Sequence, residues 1–189
     1  YADNFLKQAI AQAKTLAGDD ILTEGAKIYT TLDTTAQQNL YNIVNTGNYI
    51  TYPDDTMQVA STVTNVKTGA VIAQIGGRNQ PSNVTFGFNQ AVQTDRDWGS
   101  TMKPIVDYGP AFENNIYTST NDYVSDSPTT YPNGTPLKNW DNTYFGSMTV
   151  KSALALSRNI PAVKTLINVG LDNSSKFVNG LGINLDPMQ

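Results

Sequence analysis

The chain has 189 residues, 39% hydrophobic and 15% charged, a composition typical of one globular domain or of one domain with a small appendage. Its net charge is −4 and no cluster of Lys or Arg occurs, so we expect no nucleic-acid partner. The absence of His and Cys excludes Ser-His-Asp and Cys-His catalysis and the usual zinc, copper and haem ligands. Any general base must be Lys, Asp, Glu or Tyr, and we expect neither metal nor cofactor.

No stretch is long and apolar enough to cross a membrane, and no signal peptide begins the chain. Tyr1 is not a natural start, so we expect an excised piece whose targeting segment lies upstream. The absence of Cys fits a reducing compartment and a disulfide-free extracellular setting equally well.

The first part of the chain combines helical and extended patterns. Apolar residues at helical spacing predict an amphipathic helix over 1–17. Residues 25–32 are rich in β-branched and aromatic side chains with alternating apolar positions, which predicts a strand. A second helix then begins, capped by Asp33 or Thr34, and the Pro-containing segment 48–56 marks a boundary.

Two apolar runs, 57–66 and 70–75, flank Lys67-Thr68-Gly69 and predict a β-hairpin. Lys-Thr-Gly is also a motif of serine acyl enzymes. This copy precedes the candidate nucleophile and occupies a turn that needs its glycine, so we interpret it as a turn. Residues 78–98 are rich in Asn and Gln and show little periodicity, which predicts a loop.

Ser100 and Lys103 form the candidate catalytic pair. If a helix begins near Gly99, the two side chains share a face and the amine can reach the hydroxyl. The Ser100 N–H would then lie where an oxyanion forms during acyl transfer. Pro104 lacks the N–H that would bond the Ser100 carbonyl, so we expect a loosened or kinked turn. The spacing alone also fits a solvated lysine beside a capping serine.

Residues 113–148 predict a long irregular segment, of a length that is usually functional or flexible. Within it, Asn139-Trp140-Asp141 places a tryptophan that is either a packing anchor or part of a substrate wall. Two helices follow, the second beginning at Pro161 and ending at Gly170. Ser157-Arg158-Asn159 therefore lies at a helix–helix corner, where side chains can project into a cleft.

The order Ser100-x-x-Lys103 and then Ser157-x-Asn159 resembles the active-site order of penicillin-recognising serine acyltransferases. Flanking segments narrow the resemblance to the class A penicillin-binding proteins, over almost the whole chain. These segments are Thr30-Thr31-Leu32-Asp33-x-x-x-Gln37, Thr68-Gly69-Ala70-Val71-Ile72-Ala73-Gln74-Ile75-Gly76-Gly77, Gly99-Ser100-Thr101-Met102-Lys103-Pro104 and Ala153-Leu154-x-x-Ser157-x-Asn159-Ile160-Pro161-Ala162-Val163.

The resemblance implies an α+β fold: the N-terminal portion of a transpeptidase like penicillin-binding proteins and serine β-lactamases, with an antiparallel sheet flanked by helices. Residues 1–55 would be a linker between a glycosyltransferase domain and the transpeptidase, and 56–189 the N-terminal part of the transpeptidase domain. The family's own Lys-Thr-Gly strand follows the Ser-x-Asn helices, and this chain stops at Gln189 before such a strand. We therefore expect the chain alone to be inactive and to need its C-terminal portion as a second polypeptide.

The implied activity is that of a D,D-transpeptidase. Ser100 would attack the D-Ala-D-Ala carbonyl of a peptidoglycan stem peptide, and an amine of a neighbouring strand would take the acyl group. A β-lactam antibiotic would bind covalently at Ser100 and stay. By the same resemblance, Lys103 takes the Ser100 proton and Ser157 relays a proton to the leaving amine. Asn159 would hold the substrate amide, and Trp140 would line the cleft.

The implied location is the outer face of a Gram-positive cytoplasmic membrane, with an anchor upstream of this chain. Two other classes of protein stay open. One is a non-catalytic β-lactam or peptidoglycan sensor, which shares the motifs but does not turn over. The other is a structural wall-binding module in which Ser100 only caps a helix. The linker resemblance over 30–37 favours the enzyme over the sensor.

Overall fold

The structure is a computed structural model that describes residues 1–23, 25–81, 83–93 and 95–184. The chain divides into two compact units, Tyr1–Arg96 and Asp97–Gln189. Among the described helices, none has both the length and the apolar character that a membrane span requires.

The first unit contains two helices and a hairpin, with bounds α1 (Asp3–Ala17), α2 (Thr34–Asn45), β1 (Ser61–Thr64) and β2 (Val71–Ile75). Asp33 caps α2, because its carboxylate accepts the Ala36 N–H at 2.9 Å. The strands of the hairpin are antiparallel, and in the turn Gly69 has a φ of 71°, which favours glycine. The two predicted helices and the hairpin are confirmed.

The predicted strand over 25–32 is wrong. Its residues form no β-ladder among the described residues, and Gly25 lies in a turn. Thr31 Oγ1 donates to the Val71 carbonyl at 2.6 Å, and the Asp33 N–H donates to the Ile72 carbonyl at 2.9 Å. The segment therefore follows β2 through isolated hydrogen bonds, one of them from a side chain, and a side-chain bond cannot continue a main-chain ladder.

The second unit begins with three consecutive helical turns of different pitch: a 3₁₀ turn (Gly99–Met102), a π-helical turn (Pro104–Tyr108) and α3 (Gly109–Glu113). The Lys103 N–H donates to the Ser100 carbonyl, and the Gly109 N–H donates to the Pro104 carbonyl. This change of pitch confirms the loosened turn expected at Pro104, which has no N–H to continue the α-helical pattern.

Four short strands lie in the segment 113–148 and just beyond it, where the sequence predicts only irregular structure. They are β3 (Tyr123–Asp126), β4 (Thr129–Thr130), β5 (Pro136–Leu137) and β6 (Gly146–Thr149). β3 pairs with β6 and β4 pairs with β5, both antiparallel. Strands of two to four residues are too short for a visible alternation, which is why the sequence pattern misses them.

Three helices complete the second unit: α4 (Val150–Ala155), α5 (Asn159–Val169) and α6 (Leu171–Gly180). α4 and α5 meet at the predicted corner, and α6 is an element that the sequence pattern does not predict. Helices and strands share one apolar core, formed by Tyr108, Ala111, Tyr117, Val124, Met148, Val150, Ala153, Ala162 and Val169. Helices with small antiparallel sheets confirm the predicted α+β class.

Candidate active site

The Lys103 amine lies at the centre of the candidate site. Its Nζ donates to the Ser157 carbonyl at 2.8 Å, to Ser157 Oγ at 3.1 Å and to Asn159 Oδ1 at 2.8 Å. The side chain is only 8% exposed. Three of the four residues that the sequence singles out as catalytic are therefore in direct contact, although more than fifty positions separate Lys103 from the other two.

The end of α4 positions Ser157. The Ser157 N–H donates to the Leu154 carbonyl at 3.0 Å and the Arg158 N–H to the Ala153 carbonyl at 2.9 Å, the paired bonds of a Schellman motif. This motif places its next-to-last residue in the left-handed region, and Ser157 has a φ of 51°. Glycine is usual at such a position, so a serine here occupies a strained backbone conformation.

A side chain from outside the helix caps the start of α5. Asn139 Oδ1 accepts the N–H groups of Asn159 and Ile160, at 2.8 and 3.2 Å. The Asn159 side chain is fixed at both ends, since its Nδ2 donates to the Lys138 carbonyl at 3.1 Å and its Oδ1 accepts from Lys103. The 138–145 loop thus holds the corner that faces Lys103.

Ser100 is exposed, in the 3₁₀ turn that follows Asp97, whose carboxylate accepts the Gly99 N–H at 2.9 Å. Its hydroxyl has no hydrogen bond to another described residue, and Lys103 Nζ bonds to Ser157 and Asn159 instead of to it. Catalytic hydrogen bonds are often long or poorly aligned without substrate, so this geometry is compatible with a reacting pair.

Burial lowers the pKa of the Lys103 amine, and the positive charge of Arg158 acts in the same direction while Asp107 opposes it. Asp107 is 8% exposed, and burial raises its pKa to about 7, against the opposing charge of Lys103. A lowered pKa increases the fraction of neutral Lys103 amine, the form that can accept a proton.

Trp140 is 71% exposed, and its Nε1 donates to the Leu156 carbonyl at 3.2 Å, one residue before Ser157. The indole is therefore an exposed aromatic surface beside the corner, and its role in the substrate wall stays a prediction. Among the residues that the structure describes, no group of His, Cys, Asp or Glu is arranged to hold a metal ion.

The sequence reasoning misses Asp126 and Arg158 as parts of the site. Arg158 Nε donates to Asp126 Oδ2 at 2.9 Å, and Arg158 Nη1 donates to Asp141 Oδ2 at 2.8 Å. Arg158 is 1% exposed and Asp126 is fully buried. The available signal was an arginine inside the Ser-x-Asn motif, since a buried arginine requires an acidic partner.

Residues 59–187 match the penicillin binding protein transpeptidase domain, and the chain belongs to this family. The resemblance to class A penicillin-binding proteins is thereby confirmed. Penicillin-binding protein 1A of Streptococcus oralis is 55% identical to this chain over 184 residues, and that of Streptococcus pneumoniae is 54% identical over 184. Each alignment covers 97% of this chain, which spans only 29% and 26% of the two relatives.

Solved structures agree with the fold. The penicillin-binding protein PonA1 from Mycobacterium tuberculosis superposes with a TM-score of 0.77 at 23% sequence identity, covering 97% of this chain and 45% of that one. The same protein in complex with penicillin V superposes with a TM-score of 0.76 at 23% identity, covering 97% of this chain and 47% of that one. At this level of identity, the similarity concerns the fold.

Proposed function

We propose that this chain carries the nucleophile and proton-transfer residues of a D,D-transpeptidase that cross-links peptidoglycan stem peptides. The observation that carries the proposal is the bonding of the Lys103 amine to both Ser157 and Asn159. With membership of a transpeptidase family, this cluster supports acyl transfer through a serine ester at Ser100.

In the first half-reaction, the neutral Lys103 amine keeps two of its three donated hydrogen bonds and turns its lone pair toward Ser100. Ser100 Oγ attacks the carbonyl carbon of the penultimate D-Ala as its proton passes to that lone pair. The C–N bond to the terminal D-Ala then breaks, leaving an ester on Ser100. The departing nitrogen needs a proton, and Ser157 supplies it from its hydroxyl while taking one from Lys103. The distance of 3.1 Å from Lys103 Nζ to Ser157 Oγ allows this relay without a bridging group.

In the second half-reaction, an amine of a neighbouring stem peptide attacks the ester carbonyl. The amine loses a proton as the new amide bond forms, and Ser100 Oγ regains one as the ester bond breaks. Asn159 would bind the amide of the donor peptide, and Trp140 would line the cleft beside it. A β-lactam presents a similar carbonyl, so it would acylate Ser100 and remain bound.

We also propose that activity needs a segment outside this chain, since the chain spans only 29% of the Streptococcus oralis relative. The family resemblance puts a Lys-Thr-Gly strand in that segment, with the second oxyanion N–H and one wall of the cleft. One missing oxyanion donor lowers the rate about 10²–10³-fold. Whether joined to this chain or held as a second polypeptide, that segment completes the site on the outer face of a Gram-positive membrane.

Intact-mass measurement after incubation with penicillin V tests the nucleophile. We expect this chain, together with the segment that completes its site, to gain the mass of one drug molecule, and its Ser100→Ala variant to gain none. Ser119→Ala is a matched control, because Ser119 lies in the other Ser-x-Asn sequence, in a turn where its Oγ accepts the Asn121 N–H at 3.1 Å. A mass gain that persists in Ser100→Ala would overturn the assignment.

A second measurement separates an enzyme from a sensor. A peptide ending in D-Ala-D-Ala is incubated with the protein, and free D-Ala is quantified over time with and without an added amine acceptor. The proposal requires D-Ala release and an acceptor-linked product. Acylation by penicillin V without any peptide turnover would identify a sensor and contradict the enzymatic proposal.

A further inference from the structure

The corner that faces Lys103 is held by side chains that belong to neither sequence motif. Asn139 uses its whole carboxamide for this purpose. Its oxygen accepts the N–H groups of Asn159 and Ile160, while its Nδ2 donates to Asp126 Oδ1 at 2.6 Å and to the Thr143 carbonyl at 2.9 Å. Two donors face the oxygen and two acceptors face the nitrogen, so the amide fits in one orientation only.

The Asp126 carboxylate links Asn139 to Arg158. One oxygen accepts from Asn139, and the other accepts from Arg158 Nε at 2.9 Å and from the Phe145 N–H at 3.1 Å. Asp126 lies at the end of β3 and is completely buried. Its charge is balanced inside the protein by Arg158, so removing Arg158 would leave Asp126 as an uncompensated buried charge.

Arg158 lies between Ser157 and Asn159 in the sequence, and its side chain fixes the corner that these residues form. Besides Asp126, its guanidinium bonds to Asp141 Oδ2 at 2.8 Å and to the Thr143 carbonyl, and it stacks over the Phe145 ring at 4.5 Å. The residues on either side, Ser157 and Asn159, bond to Lys103. A planar guanidinium with this many fixed partners restricts the rotation of the backbone that carries both neighbours.

We propose that Asp126, Asn139 and Arg158 form a positioning unit that sets the distances from Lys103 to Ser157 and Asn159 and thereby controls the rate of acyl transfer. The three residues do not contact Lys103 through a hydrogen bond and act through the backbone and carboxamide of the corner. The inference rests on the proposed function. It adds a set of residues outside the Ser-x-x-Lys and Ser-x-Asn motifs on which the rate depends.

The test uses this chain together with the segment that completes its site. It measures the rate constant of acylation by penicillin V and the fraction of protein acylated at completion. Asp126→Asn is the main variant, because it replaces one acceptor oxygen by a donor that faces either Asn139 or Arg158. Asp122→Asn is the matched control. Asp122 lies in the second compact part of the chain, outside the positioning unit, and accepts the N–H groups of Thr118 and Ser119 at 2.7 and 3.0 Å.

Asp126→Asn should lower the rate constant of the folded fraction by about 10²-fold, the effect of misplacing a reacting group by about 1 Å. Longer hydrogen bonds from Lys103 to Ser157 and Asn159 would stabilise the protonated amine less and so lower its pKa. The acid limb of the pH–rate profile should therefore move to lower pH. Asp122→Asn should change neither quantity. A purely structural role would lower only the fraction acylated and leave the rate constant and the pH profile unchanged, which would overturn the proposal.

The exchanged pair Asp126→Asn with Asn139→Asp provides a rescue. In this variant, the carboxylate at 139 accepts from Asn159, Ile160 and the new amide at 126, whose oxygen still faces Arg158 and Phe145. The Thr143 carbonyl loses its donor at 139 and keeps the one from Arg158. We therefore expect part of the lost rate to return. A double variant as slow as Asp126→Asn would contradict the proposal.

If Asp126→Asn yields no folded protein, Asp141→Asn serves instead, because Asp141 is only partly buried and bonds to Arg158 of the positioning unit. Weakening its charge-assisted bond to Arg158 should lower the rate constant about threefold, and an unchanged rate would overturn the proposal. Failure of the unaltered protein to be acylated would overturn the proposed function, and this inference with it. Normal acylation of the unaltered protein with insensitive variants would overturn the inference alone.

Discussion

The turn that carries Ser100 and the corner that carries Ser157 and Asn159 are built in opposite ways. Ser100 is exposed, its hydroxyl bonds to no described residue, and its turn is held by local bonds such as Asp97 to Gly99. The corner is held by side chains 17 to 56 positions away, including Asp141 and Lys103. The proposed nucleophile is thus open to solvent, whereas the groups proposed to move its proton are already held by hydrogen bonds.

Because of this difference, we expect reactivity to depend mainly on the turn and stability mainly on the corner. An exposed serine without side-chain bonds contributes little to the free energy of unfolding. Removing Arg158 should lower the free energy of unfolding strongly, because Asp126 would then be buried without a compensating charge. Substitutions in the two regions should therefore affect acylation and stability in different proportions.

The largest effect should come from Lys103, the residue that joins the two regions. Lys103→Met removes the proposed base, and we expect the rate constant for acylation by penicillin V to fall about 10²–10⁴-fold. A time course of intact mass measures this fall. Lys151→Met is the control, since Lys151 is exposed on α4. A loss of less than tenfold in Lys103→Met would remove Lys103 from the role of base.

Arg158→Met and Ser100→Ala should separate stability from reactivity. Arg158→Met leaves the fully buried Asp126 without its cation and should lower the free energy of unfolding by about 3–5 kcal/mol. Ser100→Ala should change it by less than about 0.5 kcal/mol while abolishing acylation. Urea denaturation followed by circular dichroism measures the free energy of unfolding of both variants, and intact mass measures acylation. Similar losses of stability in the two variants would contradict the difference between turn and corner.

Asp107 should make stability depend on pH. Its pKa is raised from 3.8 to about 7, so between these values the folded state binds more protons than the unfolded state. The free energy of unfolding should therefore fall as the pH rises from about 4 to about 7, by up to about 4 kcal/mol. Denaturation midpoints across this range should show the fall in the unaltered protein, and Asp107→Asn should reduce it. Equal slopes in both proteins would exclude Asp107 as its source.

The smallest effect should come from the strained backbone at Ser157, with its φ of 51°. Ser157→Gly and Ser157→Ala both remove the hydroxyl, but only glycine relaxes the left-handed conformation. We expect the glycine variant to be more stable than the alanine variant by about 1 kcal/mol, with equally slow acylation in both. Thermal denaturation and the mass assay measure the two quantities. Equal stability of the two variants would show that the backbone here carries no strain.

The elements that follow from the sequence are those whose signals are local. The apolar stripe of α1, the Asp33 cap of α2 and the glycine turn after Thr68 each act within a few residues, and the structure confirms them. The segment 25–32 has strand-like composition, but its position beside β2 leaves it with isolated bonds. Tertiary contacts decided that outcome, and no local pattern contains them.

The site divides in the same way. Ser100, Lys103, Ser157 and Asn159 are visible because their spacing follows the family motifs, and the structure brings the last three together. The long-range bonds of Asn139 and Asp126 are not visible, because a buried carboxylate and a solvated one look identical in sequence. Even Arg158, which lies inside a recognised motif, gives no indication that its partners are Asp126 and Asp141.

The long sequence separations in the corner also have a consequence for the order of folding. The bond from Arg158 to Asp126 closes a loop of 32 positions, and the bonds from Lys103 to Ser157 and Asn159 close loops of 54 and 56. Contacts that close long loops form slowly, since chain entropy is lost before the contact stabilises anything. Helices α1 and α2 can form from their own segments, whereas the corner needs β3, the 138–145 loop and α5 together. A newly made chain would therefore display an accessible Ser100 before the proposed base and proton relay are in place.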